Sequence, residues 1–178
     1  MSVMEKKVVI NGISYSTSSI PQDTLMVDYL REYLNLTGTR WSCRQAQCRA
    51  CVVIIDNVDG TSETAFTCVN SVDFFNGKKI RTVEGQTQNP DIMSFDVLSA
   101  LQKEFLLNYS FQCSYCTPGF INEATVLLEQ LKRHPVPKNQ VKTVITTALD
   151  THLCRCTGYV KYYEAVERLI LSTPGLVY

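Results

Sequence analysis

The eight cysteines of this 178-residue chain fall into two groups of four. The first group follows the pattern C-x4-C-x2-C, with its last member further along the chain: Cys43, Cys48, Cys51 and Cys68. The second group consists of two close pairs that lie far apart in the sequence: Cys113 with Cys116, and Cys154 with Cys156. If each group forms one site, the chain must fold so that distant loops meet.

Several interpretations of these cysteines compete. Disulfide bonds need an oxidising compartment, and nothing in the sequence directs the chain to one. Zinc usually takes Cys and His ligands at CxxC-like spacings, but C-x4-C-x2-C is not such a spacing, and the only histidines are His134 and His152. Cysteines that merely fill a core would not need this clustered spacing. The pattern is instead the plant-type ferredoxin arrangement, so we expect the first group to bind a 2Fe–2S cluster.

Each pair of the second group is followed by the start of a predicted helix. Thr117 suits the N-cap position and Pro118 the first helical position. Thr157 follows the second pair in the same way. Helix N-termini favour negative charge, and four thiolates around iron form a net anion. We therefore predict a second iron–sulfur site at the point where two helix N-termini meet.

The N-terminal half combines predicted strands with one helix. Asn11-Gly12 between two apolar runs is typical of a β-hairpin with a two-residue turn. The helix is expected to be capped by Asp23 or Thr24. Further strands are predicted at residues 52–55, 61–66 and 79–83. This order predicts a small mixed sheet with a helix packed across it. The hairpin formed by the strands at 52–55 and 61–66 is expected to bring Cys68 close to Cys51.

The C-terminal half is predicted to be helical. A linker from Glu84 to Asp91 is expected because of its Gly, Pro and amide residues. Beyond it, four segments with helical periodicity predict a four-helix bundle, and they contain Ile92, Phe120, Val141 and Tyr163. Both cysteine pairs lie in loops at the same end of such a bundle. We therefore expect an α+β chain with domains at residues 1–84 and 85–178.

Composition excludes several other classes of function. Lys plus Arg and Asp plus Glu number 17 each, and no basic run is present, so the sequence does not favour nucleic-acid binding. No stretch approaches the roughly 20 apolar residues of a membrane span. The first ten residues indicate a strand rather than a signal peptide. We find no Ser/His/Asp arrangement and no phosphate-binding glycine loop, so no catalytic residue is expected.

Several stretches resemble the small iron–sulfur subunit of the molybdenum hydroxylases, the family that contains xanthine dehydrogenase, aldehyde oxidoreductase and carbon monoxide dehydrogenase. The most specific are residues 112–119, QCSYCTPG, and 153–159, LCRCTGY. Residues 36–39, LTGT, and 81–85, RTVEG, also match. The resemblance covers nearly the whole chain.

This resemblance implies a β-grasp, ferredoxin-like 2Fe–2S domain followed by an all-α four-helix-bundle 2Fe–2S domain. The implied ligands of the first cluster are Cys43, Cys48, Cys51 and Cys68. Those of the second are Cys113, Cys116, Cys154 and Cys156. The second cluster is expected nearer to the molybdenum cofactor of a large partner subunit, with Gln112 and Cys113 lying next to the pterin of that cofactor.

The function implied by the resemblance is electron transfer inside a multi-subunit oxidoreductase. Electrons would pass from the molybdenum cofactor through the two clusters to a flavin, a cytochrome or another acceptor, while the partner subunit oxidises an aldehyde or an N-heterocycle. Two alternatives stay open: a free-standing two-cluster ferredoxin-type carrier and a zinc-stabilised interaction module. We expect a cytoplasmic complex without direct membrane insertion, or a periplasmic one if a partner subunit carries an export signal.

The chain also departs from the family's pattern. Arg44, Ala46 and Arg49 stand in the first cluster loop where glycine is usual, and so does Ser114 between the paired cysteines. Glycine permits positive φ, so these replacements put the geometry of the loop in question. Arg44 and Arg49 are expected to raise the potential of the first cluster, because positive charge favours the more negative reduced state.

Some residues near the second group have more than one interpretation. His152, shortly before Cys154, is a candidate for a hydrogen bond to a sulfur. Arg155, between two cysteines, could contact a cluster or a partner, or could simply be solvated. Tyr162 and Tyr163 are expected in the core or at an interface rather than against a cofactor.

Overall fold

The computed structural model describes residues 6–87 and 94–178. Five strands form one mixed sheet in the order β2-β1-β5-β3-β4. The strands are β1 Lys7–Ile10, β2 Ile13–Ser16, β3 Val52–Asp56, β4 Ser62–Phe66 and β5 Lys79–Arg81. β1 and β5 are parallel, and the other neighbouring strands are antiparallel. The small mixed sheet predicted from the sequence is therefore confirmed.

The predicted hairpin joins β1 and β2. Asn11 and Gly12 both have positive φ, 51° and 85°, as a two-residue turn of this kind requires. The Asn11 side chain also binds the chain just after β5, donating to the Thr82 hydroxyl and accepting from the Thr82 N–H at 2.9 Å each. The turn residue therefore shapes the hairpin and also connects it to a distant part of the sheet.

A short helix lies across this sheet, as predicted. It comprises α1, Met26–Asp28, and one π-helical turn, Tyr29–Tyr33. The expected caps are wrong, because neither Asp23 nor Thr24 bonds the helix through its side chain. The free N–H groups at its start donate instead to two backbone carbonyls of the segment after β4, at 2.9 and 3.1 Å. Tertiary packing thus replaces the capping side chain.

Four further helices form the predicted bundle. They are α2 Ala100–Leu107, α3 Thr117–Arg133, α4 Val141–Leu149 and α5 Val160–Ser172. α2 begins later than the sequence predicted, because Ser99 forms a capping box with Gln102. Phe95 lies in a separate 3₁₀ turn, and Ile92 lies outside the described residues. Among the described residues, no helix combines the length and apolar character needed to cross a membrane.

The predicted linker from Glu84 to Asp91 lies partly outside the described residues as well. Its first part belongs to a 3₁₀ turn at Val83–Gln86. Val83 packs against the core of the helical bundle. The chain therefore begins to contact the bundle directly after the last strand of the sheet.

Helix α3 connects the bundle to the sheet. One side of it contributes to the bundle core, while the helix also contacts β3 and β4. Asn122 donates a buried side-chain hydrogen bond to the carbonyl of Val52 at 2.8 Å. Near the start of the helix, a Cβ on Gly119 would overlap the carbonyl oxygen of Arg49. Glycine is therefore required for the helix to approach the first cysteine loop this closely.

Charged side chains reinforce the same contact further along α3. Arg81 of β5 pairs with Glu129 at 2.9 Å and with Asp56 at 2.7 Å. The Ser62 hydroxyl donates to the same Glu129 carboxylate. Because these groups come from three strands and one helix, they set the orientation of α3 on the sheet.

We predict that Asn122→Ala lowers the free energy of unfolding by about 1–3 kcal/mol, because it leaves the buried Val52 carbonyl without its side-chain donor. The matched control is Gln130→Ala, at an exposed position of the same helix, which should change stability by less than about 0.5 kcal/mol. Urea unfolding of the two variants measures the difference. Equal stabilities would show that the Asn122 hydrogen bond does not stabilise the contact.

Candidate metal centres

Three cysteines of the first group, Cys43, Cys48 and Cys51, lie in the loop between the helix that follows β2 and strand β3, and Cys68 follows β4. The sulfur of Cys43 accepts backbone N–H groups from Gln45, Gln47 and Cys48, each at 3.4 Å. Burial acts to raise the pKa of Cys43, but these N–H groups outweigh it and lower that pKa to about 6. The loop backbone thus stabilises a thiolate, which is the form that binds metal.

The β3–β4 hairpin brings the other two cysteines of this group together, as predicted. Val52 pairs with Phe66, which places Cys51 and Cys68 next to each other in a buried apolar cluster with Val27. Burial and the neighbouring Cys68 side chain raise the pKa of Cys51 to about 12. This thiol therefore needs a bound cation to become a thiolate.

The four residues that replace the usual glycines all adopt positive φ. The angles are 51° at Arg44, 56° at Ala46, 57° at Arg49 and 58° at Ser114. These positions in the two loops therefore keep a left-handed conformation without glycine, at a cost of roughly 1–2 kcal/mol per residue. Two of the N–H groups that donate to the Cys43 sulfur belong to Gln45 and Gln47. Each of these residues directly follows a residue with positive φ, so the left-handed turns orient the donors toward the sulfur.

The second group converges at the end of the helical bundle. The sulfurs of Cys113 and Cys156 are 3.4 Å apart and exposed, while Cys116 and Cys154 are buried. Burial acts to raise the pKa of Cys154, but the hydroxyl and N–H of Thr157 and the N–H of Gly158 lower it to about 7. The two loops that the sequence placed at one end of the bundle do meet there.

The helix starts near this group differ in detail from the prediction. Cys116, rather than Thr117, precedes α3, and Thr117 is the first helical residue. The Thr117 hydroxyl is 2.7 Å from the Tyr162 hydroxyl. The second helix, α5, begins only after Tyr159, so Thr157 lies before it in the loop and contacts the Cys154 sulfur at 3.3 Å. Neither threonine therefore caps a helix: Thr157 contacts a cysteine sulfur, and Thr117 contacts the Tyr162 hydroxyl.

A cavity of about 300 Å³ lies between the two cysteine groups. Six cysteines line it: Cys43, Cys48, Cys113, Cys116, Cys154 and Cys156. Beside it, the N–H of Leu153 donates to the carbonyl of Cys48 at 3.3 Å. This single hydrogen bond joins a cysteine of the first group to the residue next to a cysteine of the second.

The sulfurs meet in pairs, which suits a two-iron cluster with four cysteine ligands. The pairs are Cys43 with Cys48, Cys51 with Cys68, Cys113 with Cys156, and Cys116 with Cys154. Within residues 6–87 and 94–178, no three or more His, Cys, Asp or Glu side chains are arranged to hold a single metal ion. The donor set fits the soft thiolate chemistry of an iron–sulfur centre.

The arginines of the first loop are paired with carboxylates. Arg44 bonds Asp28 at 3.1 Å and also lies over the ring of Trp41. Arg49 bonds Glu123 of α3 at 2.9 Å. Each positive charge beside the first cysteine group is thus accompanied by a negative one. The expectation that these arginines raise the cluster potential stays a prediction, and the structure adds that their partners oppose this effect.

Glu123, which the sequence analysis did not single out, is the centre of a buried polar group between the sheet and the bundle. It accepts from Arg49 and from the Thr64 hydroxyl, both at 2.9 Å. Burial acts to raise the pKa of Glu123, but the guanidinium of Arg49 and the hydroxyl of Thr64 hold it below its ordinary value. The carboxylate is therefore ionised at neutral pH.

His152 is completely buried and does not bond a sulfur, so the interpretation proposed from the sequence is wrong. Its ring stacks on Phe120 at 4.2 Å, and its Nε2 is 3.6 Å from Glu123 Oε2. Burial lowers the pKa of His152. The side chain therefore packs as a neutral ring behind the second cysteine group.

Two other predicted site residues lie at the surface. Gln112, adjacent to Cys113, is exposed, and so is Arg155 between Cys154 and Cys156. Within the described part of the chain, no hydrogen bond to another residue holds the side chain of Gln112 or Arg155. Both are therefore available to a molecule that covers the exposed edge of the second group.

Comparison with known proteins agrees with this geometry. Residues 8–73 match the 2Fe-2S iron-sulfur cluster binding domain family, and residues 82–167 match the 2Fe-2S binding domain family. The nicotine 6-hydroxylase small subunit of Paenarthrobacter nicotinovorans is 34% identical over 98% of this chain and 92% of its own length. The chain also matches a xanthine dehydrogenase of Emericella nidulans at 28% identity, covering 89% of this chain but only 11% of that longer protein.

A solved structure shows the same architecture. Quinoline 2-oxidoreductase from Pseudomonas putida 86 superposes with a TM-score of 0.74 at 28% identity, covering 97% of this chain and 93% of that one. The fold and the cysteine arrangement define a protein with two 2Fe–2S domains. The chain belongs to the small iron–sulfur subunits of the molybdenum hydroxylases, whose partner is a large subunit with the molybdenum cofactor. It transfers electrons within an oxidoreductase complex.

We predict that Ala46→Gly stabilises the protein by about 0.5–1 kcal/mol. Glycine removes the strain of a left-handed alanine, and part of this gain is lost to the greater freedom of glycine in the unfolded chain. Thermal unfolding measures the change. The matched control is Ala50→Gly in the same loop, where φ is not positive, and it should destabilise. A loss of stability in both variants would contradict the argument from strain.

We also predict opposite changes of potential on breaking the Arg49–Glu123 pair. Arg49→Gln leaves the carboxylate unpaired, so one midpoint potential should become more negative; Glu123→Gln should make it more positive. The double variant keeps the local net charge of the original pair and should lie between the two. Redox titrations followed by electron paramagnetic resonance measure these values. If Arg49→Gln and Glu123→Gln shift the potential in the same direction, charge is not the cause.

Proposed function

We propose that the two cysteine groups each hold one 2Fe–2S cluster. The ligands of the first are Cys43, Cys48, Cys51 and Cys68, and those of the second are Cys113, Cys116, Cys154 and Cys156. The pairing of the sulfurs around two separate sites is the observation that carries this assignment. We also propose that the chain divides into a ferredoxin-like domain, residues 1–84, and a helical domain, residues 85–178, in keeping with the two family matches.

Each cluster, when bound, accepts and releases one electron at a time. The residues of this chain set the relation between the two sites. The hydrogen bond from Leu153 to Cys48 joins the two cysteine loops, and the contact of α3 with the sheet keeps their separation constant. The buried positions of Cys51, Cys68, Cys116 and Cys154 exclude water from one side of each site.

The second cysteine group is the proposed entry point for electrons. Cys113, Cys156 and Gln112 are exposed at one edge of the bundle, where a large subunit can cover them. On this proposal, Gln112 and Cys113 lie against the pterin of the partner's molybdenum cofactor. Electrons then reach the ferredoxin-like domain and leave to a flavin, a cytochrome or another acceptor.

The proposed reaction of the whole enzyme is oxidation of an aldehyde or an N-heterocycle in the large subunit. This chain spans nearly the whole length of two relatives that are named for nicotine and quinoline. Both compounds are N-heterocycles, so we propose an N-heterocycle rather than an aldehyde as the substrate of the whole enzyme. We propose a cytoplasmic complex, or a periplasmic one if a partner subunit carries an export signal.

Purification of the untagged protein from its native host tests the proposal. We expect a brown complex with about four irons and four labile sulfides per small subunit, which is two per 2Fe–2S cluster, together with molybdenum. Four irons without molybdenum or a partner would indicate a free-standing carrier. Zinc without iron or labile sulfide would indicate the interaction module and would contradict electron transfer. Fractionation of the same cells into cytoplasm and periplasm tests the compartment.

A further inference from the structure

Tyr162 is held rigidly behind the second cysteine group. It lies in the first turn of α5 and is completely buried. Its ring stacks on Phe120 with the centroids 4.1 Å apart and the planes at 8°. Phe105 packs against the same ring edge-on at 5.1 Å. These two contacts cover one face and one edge region of the ring, and its hydroxyl lies at the start of α3.

The hydroxyl of Tyr162 lies between two polar atoms at the start of α3. It is 2.7 Å from the Thr117 hydroxyl and 3.6 Å from the sulfur of Cys116. Within the described chain, neither hydroxyl has another hydrogen-bond partner. A thiolate ligand has no proton to donate, so Tyr162 must be the donor to sulfur. Its oxygen then accepts from Thr117, and every hydroxyl proton has an acceptor.

We propose that Tyr162 is a positioning residue that donates a hydrogen bond to the Cys116 sulfur and so raises the reduction potential of the second cluster. The inference rests on the proposed role of Cys116 as a ligand. Reduction adds one negative charge to a cluster, and a donor to its sulfur stabilises that charge. Burial strengthens the effect, because no water competes for the sulfur.

The protonation of Tyr162 is consistent with this role. Burial raises the pKa of Tyr162, so its hydroxyl stays protonated and remains a donor.

Cys43 and Cys116 therefore obtain their donors in different ways. Cys43 receives backbone N–H groups from its own loop, which a change of side chain leaves in place. Cys116 receives a side-chain hydroxyl from a different helix, which a single substitution removes. The potential of the second cluster can thus be adjusted without altering the first, and the difference between them sets the direction of electron flow inside the subunit.

The test compares Tyr162→Phe with Tyr163→Phe in the complex purified with its partner subunits. Phenylalanine keeps the ring and its packing and removes only the hydroxyl. Tyr163 lies next to Tyr162 on α5, and its hydroxyl makes no hydrogen bond to a cysteine. We expect one of the two midpoint potentials to become more negative in Tyr162→Phe, and neither to move in Tyr163→Phe. Redox titration followed by electron paramagnetic resonance measures both.

Thr117 supplies a second pair of variants if Tyr162→Phe does not assemble. Thr117→Val removes the donor to Tyr162 and should shift the same potential in the same direction, because the polarisation of the tyrosine hydroxyl is lost. Thr117→Ser keeps the hydroxyl and should restore the original value. A midpoint potential unchanged in Tyr162→Phe, or unchanged in Thr117→Val, would overturn the inference.

Iron and sulfide analysis of the unmodified complex separates this inference from the proposed function. Two cluster signals with about four irons per small subunit, together with unshifted potentials in the variants, would leave the proposed function intact and refute only the role of Tyr162. Fewer than two cluster signals in the unmodified protein would refute the ligand assignment itself, and the role of Tyr162 with it.

Discussion

The close approach of helix α3 to the first cysteine loop is the contact on which the arrangement of both sites depends. Gly119 allows the helix to touch the backbone of Arg49, and Asn122 bonds the strand that follows the loop. The same helix begins directly after Cys116. One rigid element therefore carries a cysteine of the second group and packs against the first. Electron transfer between two sites needs such a constant separation, and the helix provides it.

Electrostatics at this contact follow a consistent pattern, in which charges are paired and neutral donors approach sulfur. Arg49 is matched by Glu123, and Arg44 by Asp28, so that these two arginines add little net charge beside the first group. Sulfur is approached instead by backbone N–H groups at Cys43 and by hydroxyls at the second group. Neutral donors stabilise added negative charge without the large desolvation cost of a buried ion.

The sequence predicted most of the fold because its signals are local. The Asn11-Gly12 turn, the apolar periodicity of the helices and the return of the β3–β4 hairpin depend on neighbouring residues, and the structure confirms them. The expected caps at Asp23, Thr24 and Thr117 are wrong. Backbone carbonyls after β4 accept from the first N–H groups of the N-terminal helix, and the Thr117 hydroxyl contacts Tyr162 instead of capping α3. A capping pattern shows that a side chain can accept from the first N–H groups of a helix. It does not show whether an acceptor distant in sequence binds those N–H groups instead.

The sequence by itself determined the number and grouping of the cysteines, the mixed sheet and the helical bundle, since spacing and periodicity are properties of the chain alone. Its motifs also carried the resemblance to the family. Only the tertiary structure decided what surrounds the sulfurs. It showed that Arg44, Ala46 and Arg49 adopt the left-handed conformation of the usual glycines. It also brought Glu123 and Tyr162 to sites that no pattern linked to them. The physical reason is that hydrogen bonds and ion pairs depend on distance in space, which helix packing sets and sequence separation does not reveal.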